Sequence, residues 1–220
     1  MRIRRVGGHA LLLDFAAPTD RAPDTPNPAE PVDPALVEGW RAELWRRRER
    51  GDLVATEIVP AAATVLLDGV PDPAATAAAI RTWTPTPPLT TSAAAEPVEV
   101  PVTYDGEDLP RVAALWHTDV PSVVRRMAQT EFRVAFCGFA PGFGYLTGLP
   151  AELAVPRLPS PRPRVPAGSV ALAGPYAGIY PTASPGGWLL VGRTTLALFD
   201  VRADPPARLT PGTPVRLLPT

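Results

Sequence analysis

Apolar positions alternate or run together over Arg2–Val6 and Ala10–Phe15, on either side of Gly7-Gly8, which predicts a β-hairpin. Residues 18–34 are polar and proline-rich and are read as a loop. Asp33-Pro34 then supplies an N-cap followed by a proline at the first helical turn. Leu36, Val37, Trp40, Leu44 and Trp45 follow at helical spacing, so a helix is expected to run to near Gly51 with these residues on one apolar stripe. Leu53–Val59 and Thr64–Leu67 read as strands, and Asp72-Pro73 opens a second helix through Ile80 toward Trp83. Helices covering one face of a small sheet make a two-layer unit.

The pattern breaks at TPTPPLTTSAAAEP, which has little to bury, so residues 85–97 are expected to link a small α/β domain (1–84) to a second domain (98–220). The second part opens with a strand at Val98–Tyr104 and short helices over Asp108–Trp116 and Pro121–Thr130. Beyond Phe132 no helical period remains. The runs RVAFCGF, SVALAG, GWLLVG, LALFD and VRLLP alternate with glycine and proline turns, which predicts a β-barrel or sandwich and an α+β chain overall.

Composition sharpens this in three places. The 220 residues carry a formal charge of −1, an ordinary globular balance, and no apolar run approaches the ~20 residues of a spanning helix, so no membrane association is expected. No charged start followed by an apolar signal core is visible, and the single cysteine, Cys137, has no internal partner; a reducing cytoplasm is therefore the expected location. All 21 basic residues are arginine, which excludes lysine Schiff bases, a lysine base and a Walker phosphate loop. Charge is divided unevenly: residues 1–131 hold 13 Arg against 19 acids (−6), residues 132–220 hold 8 against 3 (+5). The second part is thus expected to face an anion or an acidic surface. The arginines form no run and no nucleic-acid motif is present, so a nucleic-acid partner is not expected.

The densest stretch contains GFAPGFGYL (138–146), VPRLPSPRPRVPAGSVALAG (155–174), GIYP (178–181) and SPGGWLLVGRT (184–194). In this order and spacing these motifs resemble the hallmark series of the 5-oxoprolinase B-subunit family, also known as allophanate hydrolase subunit 1 or Kip-type inhibitor. MRIRRVGGHALLLDF and VPAAATVLLDG are similar to the first domain of that family. The resemblance implies a cyclophilin-like β-barrel as the second domain, a C-subunit partner with a related barrel, and a third lactam-hydrolase subunit. It implies an assembly, inactive as separate subunits, that opens 5-oxoproline to glutamate using ATP, with magnesium in the complex. Relatives also include urea-carboxylase-type carboxyltransferase modules acting on allophanate and non-catalytic inhibitors of a histidine kinase, so both alternatives stay open.

Opening an unactivated lactam requires cations for phosphate or carboxylate oxygens and donors for an oxyanion. Arg157, Arg162, Arg164 and Arg193 supply bidentate forks. Gly168, Gly186 and Gly187, together with Gly138 and Gly142, could offer backbone N–H groups, and Ser169 and Ser184 hydroxyls. Phe139, Pro141, Phe143 and Tyr180 are pocket-wall candidates, Tyr145 is core or wall, and Trp188 is core. Arg162 and Arg164 read equally as loop or interface ion pairs, and Arg193 as a barrel-rim pair. Cys137 reads as a small buried hydrophobe, and His9 and His117 lack metal-ligand spacing. Met127 and Phe132 stand where the family carries histidine and tyrosine, and Gly174-Pro175-Tyr176-Ala177 replaces a Gly-x-Gln-Thr stretch.

Overall fold

The computed structural model describes residues 1–16, 32–85 and 96–220. The chain divides into two compact units, Met1–Ala93 and Ala94–Thr220. Most of the expected loop at 18–34 and of the expected linker at 85–97 lies outside the described residues. No helix among the described residues is long and apolar enough to cross a membrane.

In the first unit, β1 (Arg2–Val6) and β2 (Ala10–Asp14) form the hairpin, and β3 (Glu57–Pro60) and β4 (Thr64–Asp68) complete an antiparallel sheet in the order β1-β2-β4-β3. Leu11 and Leu13 pair with Leu67 and Val65, and Ile58 with Leu67, so one face of the pleat is apolar. That face packs with Val37, Trp40 and Leu44 of α1 (Pro34–Glu49) and Ala77 and Ile80 of α2 (Pro73–Ile80). Asp33 caps α1 by accepting from Ala35 N–H at 2.9 Å, and Asp72 caps α2 through Ala74 and Ala75. The apolar stripe of α1 is narrower than the sequence predicts. Positions 37, 40 and 44 share one face, whereas Leu36 and Trp45 fall about a quarter turn off it and are exposed. Trp45 is instead covered by the Arg48 guanidinium, 4.0 Å above its ring. β3 also starts later than expected, because Leu53 and Ala55 bury their side chains without joining the ladder.

The second unit is a barrel. Its strands are β5 (Val98–Val102), β6 (Phe132–Cys137), β7 (Gly144–Thr147), β9 (Ser169–Ala173), β10 (Tyr176–Ile179), β12 (Leu189–Arg193) and β13 (Pro214–Pro219), in the order β12-β9-β10-β7-β6-β13-β5. The two edges meet where Thr103 and Arg193 exchange N–H···O bonds of 2.9 Å each, so the sheet is nearly closed. β13 runs parallel to β5; the other ladders are antiparallel. The run LALFD does not form a strand: the segment opposite carries Pro205-Pro206, which offer no N–H, and pairing shrinks to one bridge between Phe199 and Ala207.

The barrel is filled. Val100, Val102, Val134, Leu146, Val170, Leu172, Ile179, Leu189, Val191, Val215 and Leu217 form its core with residues of α3 (Leu109–Leu115) and α4 (Val120–Gln129). Met127 and Phe132 are buried in this core, where apolar side chains pack without orphaned polar atoms. β9 is buried on both faces. Val170 and Leu172 point inward, while Ala171 and Ala173 belong to a separate outer cluster with Phe143, Val165, Tyr180, Trp188 and Leu190. A two-stranded ribbon, β8 (Arg162–Val165) with β11 (Ser184–Gly186), covers that outer cluster.

Candidate binding site on the outer barrel wall

A pocket of about 260 Å³ opens beside this outer cluster. Phe143, Tyr145, Tyr180 and Trp188 form its aromatic wall, Phe139 stands at its rim, and Pro161, Pro185, Gly186 and Gly187 come from the ribbon and its approaches. Phe143 is the hub: its ring lies 5.3 Å from Phe139, 5.0 Å from Tyr145, 5.5 Å from Tyr180 and 5.4 Å from Trp188, all edge to face. The turn that joins β6 to β7 holds Phe139 at φ 69° with 61% of its surface exposed, an unusual backbone state for a large side chain.

Arg157 is the charged group in the pocket lining. Its guanidinium lies 5.9 Å from the Trp188 ring centroid and makes no ion pair among the described residues. Burial raises the Tyr180 phenol above its usual pKa, against the opposing pull of the Trp188 backbone N–H and the Arg157 charge. Tyr180 is therefore a neutral hydroxyl at physiological pH.

Arg162 has a different task. Its Nε donates to Glu107 Oε1 at 2.7 Å, Nη2 to Asp108 Oδ2 at 2.8 Å and Nη1 to the Trp188 carbonyl at 3.3 Å. Asp108 makes no side-chain cap for α3; its carboxylate instead accepts Leu190 N–H at 2.7 Å beside the bulge in β12. This clamp ties the ribbon to the barrel wall, so the pocket roof is held by a part-buried ion pair as well as by loop packing.

The remaining candidates divide clearly. Phe139, Phe143, Arg157, Tyr180, Gly186 and Gly187 meet in the pocket. Arg164 is exposed on β8, Pro141 is exposed in the β6–β7 turn, and neither lines it. Arg193 lies at the barrel seam, where its Nε donates to Asp105 at 2.8 Å. Gly168, at φ 80°, lies so close to the Thr194 carbonyl that a Cβ would overlap it, and donates its N–H to the Tyr180 carbonyl at 2.7 Å. Ser169 is buried on β9, and the Ser184 hydroxyl is buried with no hydrogen-bond partner among the described residues. Burial raises the Cys137 thiol pKa, and its Sγ donates to the Leu209 carbonyl at 3.4 Å. His117, at φ 51°, lines a separate polar pocket with Ser122 and Arg126, and His9 is exposed. Sequence reasoning missed Pro161, Pro185 and Trp188 as lining, and the Glu107–Asp108 partners of Arg162. For Trp188 the adjoining Gly186-Gly187 was the available signal; for Asp108 there was none, since its partner lies 54 positions away.

Known proteins place this architecture. The family described as carboxyltransferase domain, subdomain C and D, matches residues 1–209. The chain is 48% identical to the B subunit of 5-oxoprolinase from Escherichia coli O157:H7 over 125 residues, 56% of this chain and 57% of that protein. It is 44% identical to the B subunit of 5-oxoprolinase from Bacillus subtilis over 124 residues, 55% of this chain and 52% of that protein. These matches span little more than half the length of either relative. A crystal structure of the protein TTHA0988 superposes over 100% of this chain and 40% of its own length, with a TM-score of 0.72 and 31% identity. With the matched model extending over nearly all of its residues, the chain belongs to the carboxyltransferase domain, subdomain C and D, family.

Proposed function

We propose that this chain is one subunit of an ATP-dependent 5-oxoprolinase complex that opens 5-oxoproline to glutamate. It would act in the cytoplasm with a C-subunit relative bearing a related barrel and a third lactam-hydrolase subunit, and be inactive alone. The observation that carries the proposal is the 48% identity, over 125 residues, to a relative named as a 5-oxoprolinase B subunit.

The chemistry agrees with a divided labour. A lactam carbonyl is a poor electrophile, so phosphorylation by ATP would activate it before water attacks. A triphosphate needs several cations around it, yet among the described residues the outer-wall pocket supplies one unpaired guanidinium, Arg157. Arg162, the next nearest in the ribbon, is already neutralised by Glu107 and Asp108. The pocket therefore fits a monoanion and not a nucleotide, and the phosphates and their magnesium would be held by groups outside it.

Reconstitution tests the proposal. The chain is co-expressed with its C-subunit and third-subunit relatives, and glutamate release is followed with and without ATP. Turnover that requires all three chains and ATP is the expected result. No glutamate with both partners present would sink the proposal.

A further inference from the structure

We infer that the outer-wall pocket binds a small lactam ring carrying a single carboxylate, with Arg157 as its anion contact, and rejects the ring-opened amino dicarboxylate. The choice of ring rests on the 5-oxoprolinase reading; the preference for one negative charge rests on the pocket itself.

Three properties of the lining point this way. Its cavity of about 260 Å³ is at the small end of ligand sites, which run from roughly 300 Å³ upward. Its walls are aromatic rings packed edge to face around Phe143, which give a small ring an apolar surface to pack on. Among the described residues its charge comes from Arg157, with no aspartate or glutamate in the lining and the neighbouring Arg162 neutralised by its clamp.

Ligand chemistry follows from that inventory. One carboxylate beside Arg157 gains a charge-assisted, potentially bidentate contact. The neutral lactam ring then replaces water against the aromatic wall at no ionic cost. Opening the ring creates a second carboxylate and an ammonium group. The new carboxylate would lose its hydration against aromatic rings with no second cation among the described lining residues, and the ammonium, on the carbon next to the carboxylate held by Arg157, would compete with that guanidinium for the same anion. The same pocket that admits the substrate thus expels the product.

Titration calorimetry on the full chain tests this with three probes: 5-oxoproline, 2-pyrrolidinone (the ring without its carboxylate) and L-glutamate. Saturable binding of 5-oxoproline is expected, with 2-pyrrolidinone and glutamate each weaker by roughly ten-fold or more. Arg157→Gln should weaken 5-oxoproline by a similar factor and Arg157→Lys by less, while Arg164→Gln, on the exposed ribbon surface, should leave it unchanged. The inference is overturned by absence of saturable 5-oxoproline binding, by equal affinity for glutamate or 2-pyrrolidinone, or by an Arg157→Gln chain that binds as the wild type does. The reconstituted enzyme separates the two readings. Turnover with an unchanged KM in Arg157→Gln would leave the 5-oxoprolinase reading standing and remove this one. Arg157-dependent binding without turnover in the complete assembly would do the reverse.

Discussion

Replacing Arg162 by methionine keeps much of its length and packing but removes every donor of the clamp. The Glu107 half of the clamp is exposed, with 62% of that side chain in solvent, so its loss contributes about 0–1 kcal/mol. The Asp108 half is different, because that carboxylate has 9% of its surface exposed. Stranding a buried charge costs about 3–5 kcal/mol. Asp108 still keeps Leu190 N–H at 2.7 Å, which places Arg162→Met near the lower limit, about 3 kcal/mol. Asp108→Asn retains an acceptor for Leu190 while removing the charge, so in that background Arg162→Met should cost under about 1 kcal/mol. The expected coupling between the two sites is therefore about 2 kcal/mol. Urea unfolding of the wild type, both single variants and the double variant measures it, and amide exchange at Leu190 reports the local loosening. A cost below about 1 kcal/mol for the single variant, or the same cost in both backgrounds, would show that Arg162 and Asp108 do not form the clamp described.

Gly186→Ala places a Cβ against the hydroxyl of buried Tyr180, so it should cost about 1–3 kcal/mol in urea unfolding and weaken ligand binding, with partial relief from Tyr180→Phe; a neutral Gly186→Ala would refute that close approach. Met127→His introduces an imidazole into the barrel core and should destabilise by about 2 kcal/mol or more without raising turnover of the reconstituted complex; a more active variant would overturn the packing role assigned to Met127. Tyr104 carries a buried hydroxyl with no partner among the described residues, so Tyr104→Phe should stabilise by about 1 kcal/mol. Burial raises the folded-state pKa of Tyr104, so its neutral form favours folding fully below the unfolded value of about 10 and that stability falls as pH rises above it. Urea midpoints between about pH 8 and 11 should therefore decline less steeply in Tyr104→Phe, and parallel declines would exclude this titration.

Much of the architecture was legible because it is written locally. Gly7-Gly8 between apolar runs specifies the first hairpin, and Asp33-Pro34 and Asp72-Pro73 mark helix starts whose caps form as their chemistry demands. The short runs after Phe132 announce strands, since no helical face connects them. Features that depend on distant partners were not legible. Periodicity alone puts Trp45 on the buried stripe, but its position at the edge of the helix face leaves it to Arg48. LALFD has the composition of a strand, and only the prolines opposite it show why its ladder fails. The arginines of the candidate set were alike as sequence. Their neighbours distinguish them: Glu107 and Asp108 take Arg162, Asp105 takes Arg193, and Arg157 is left facing the aromatic wall. The burial of β9 on both faces likewise depends on a ribbon formed by residues on either side of it in sequence, which a single alternating run cannot reveal.

The parallel pairing of β13 with β5 sets a timetable for synthesis. Val215 pairs with Val98, 117 positions earlier, so at about 5–20 residues per second the ribosome delivers the partner of β5 roughly 6–23 s after β5 itself. During that interval the apolar side of Val98–Val102 has neither the neighbour that will hydrogen-bond to it nor, until Arg193 arrives, the strand that meets it across the seam. The first unit suffers no such delay, because its strands pair within residues 2–68. A nascent chain interrupted before residue 214 would therefore carry a formed first unit and a barrel that cannot acquire its full set of strands, with the ends of β5 and β6 left as open edges for other chains to pair with.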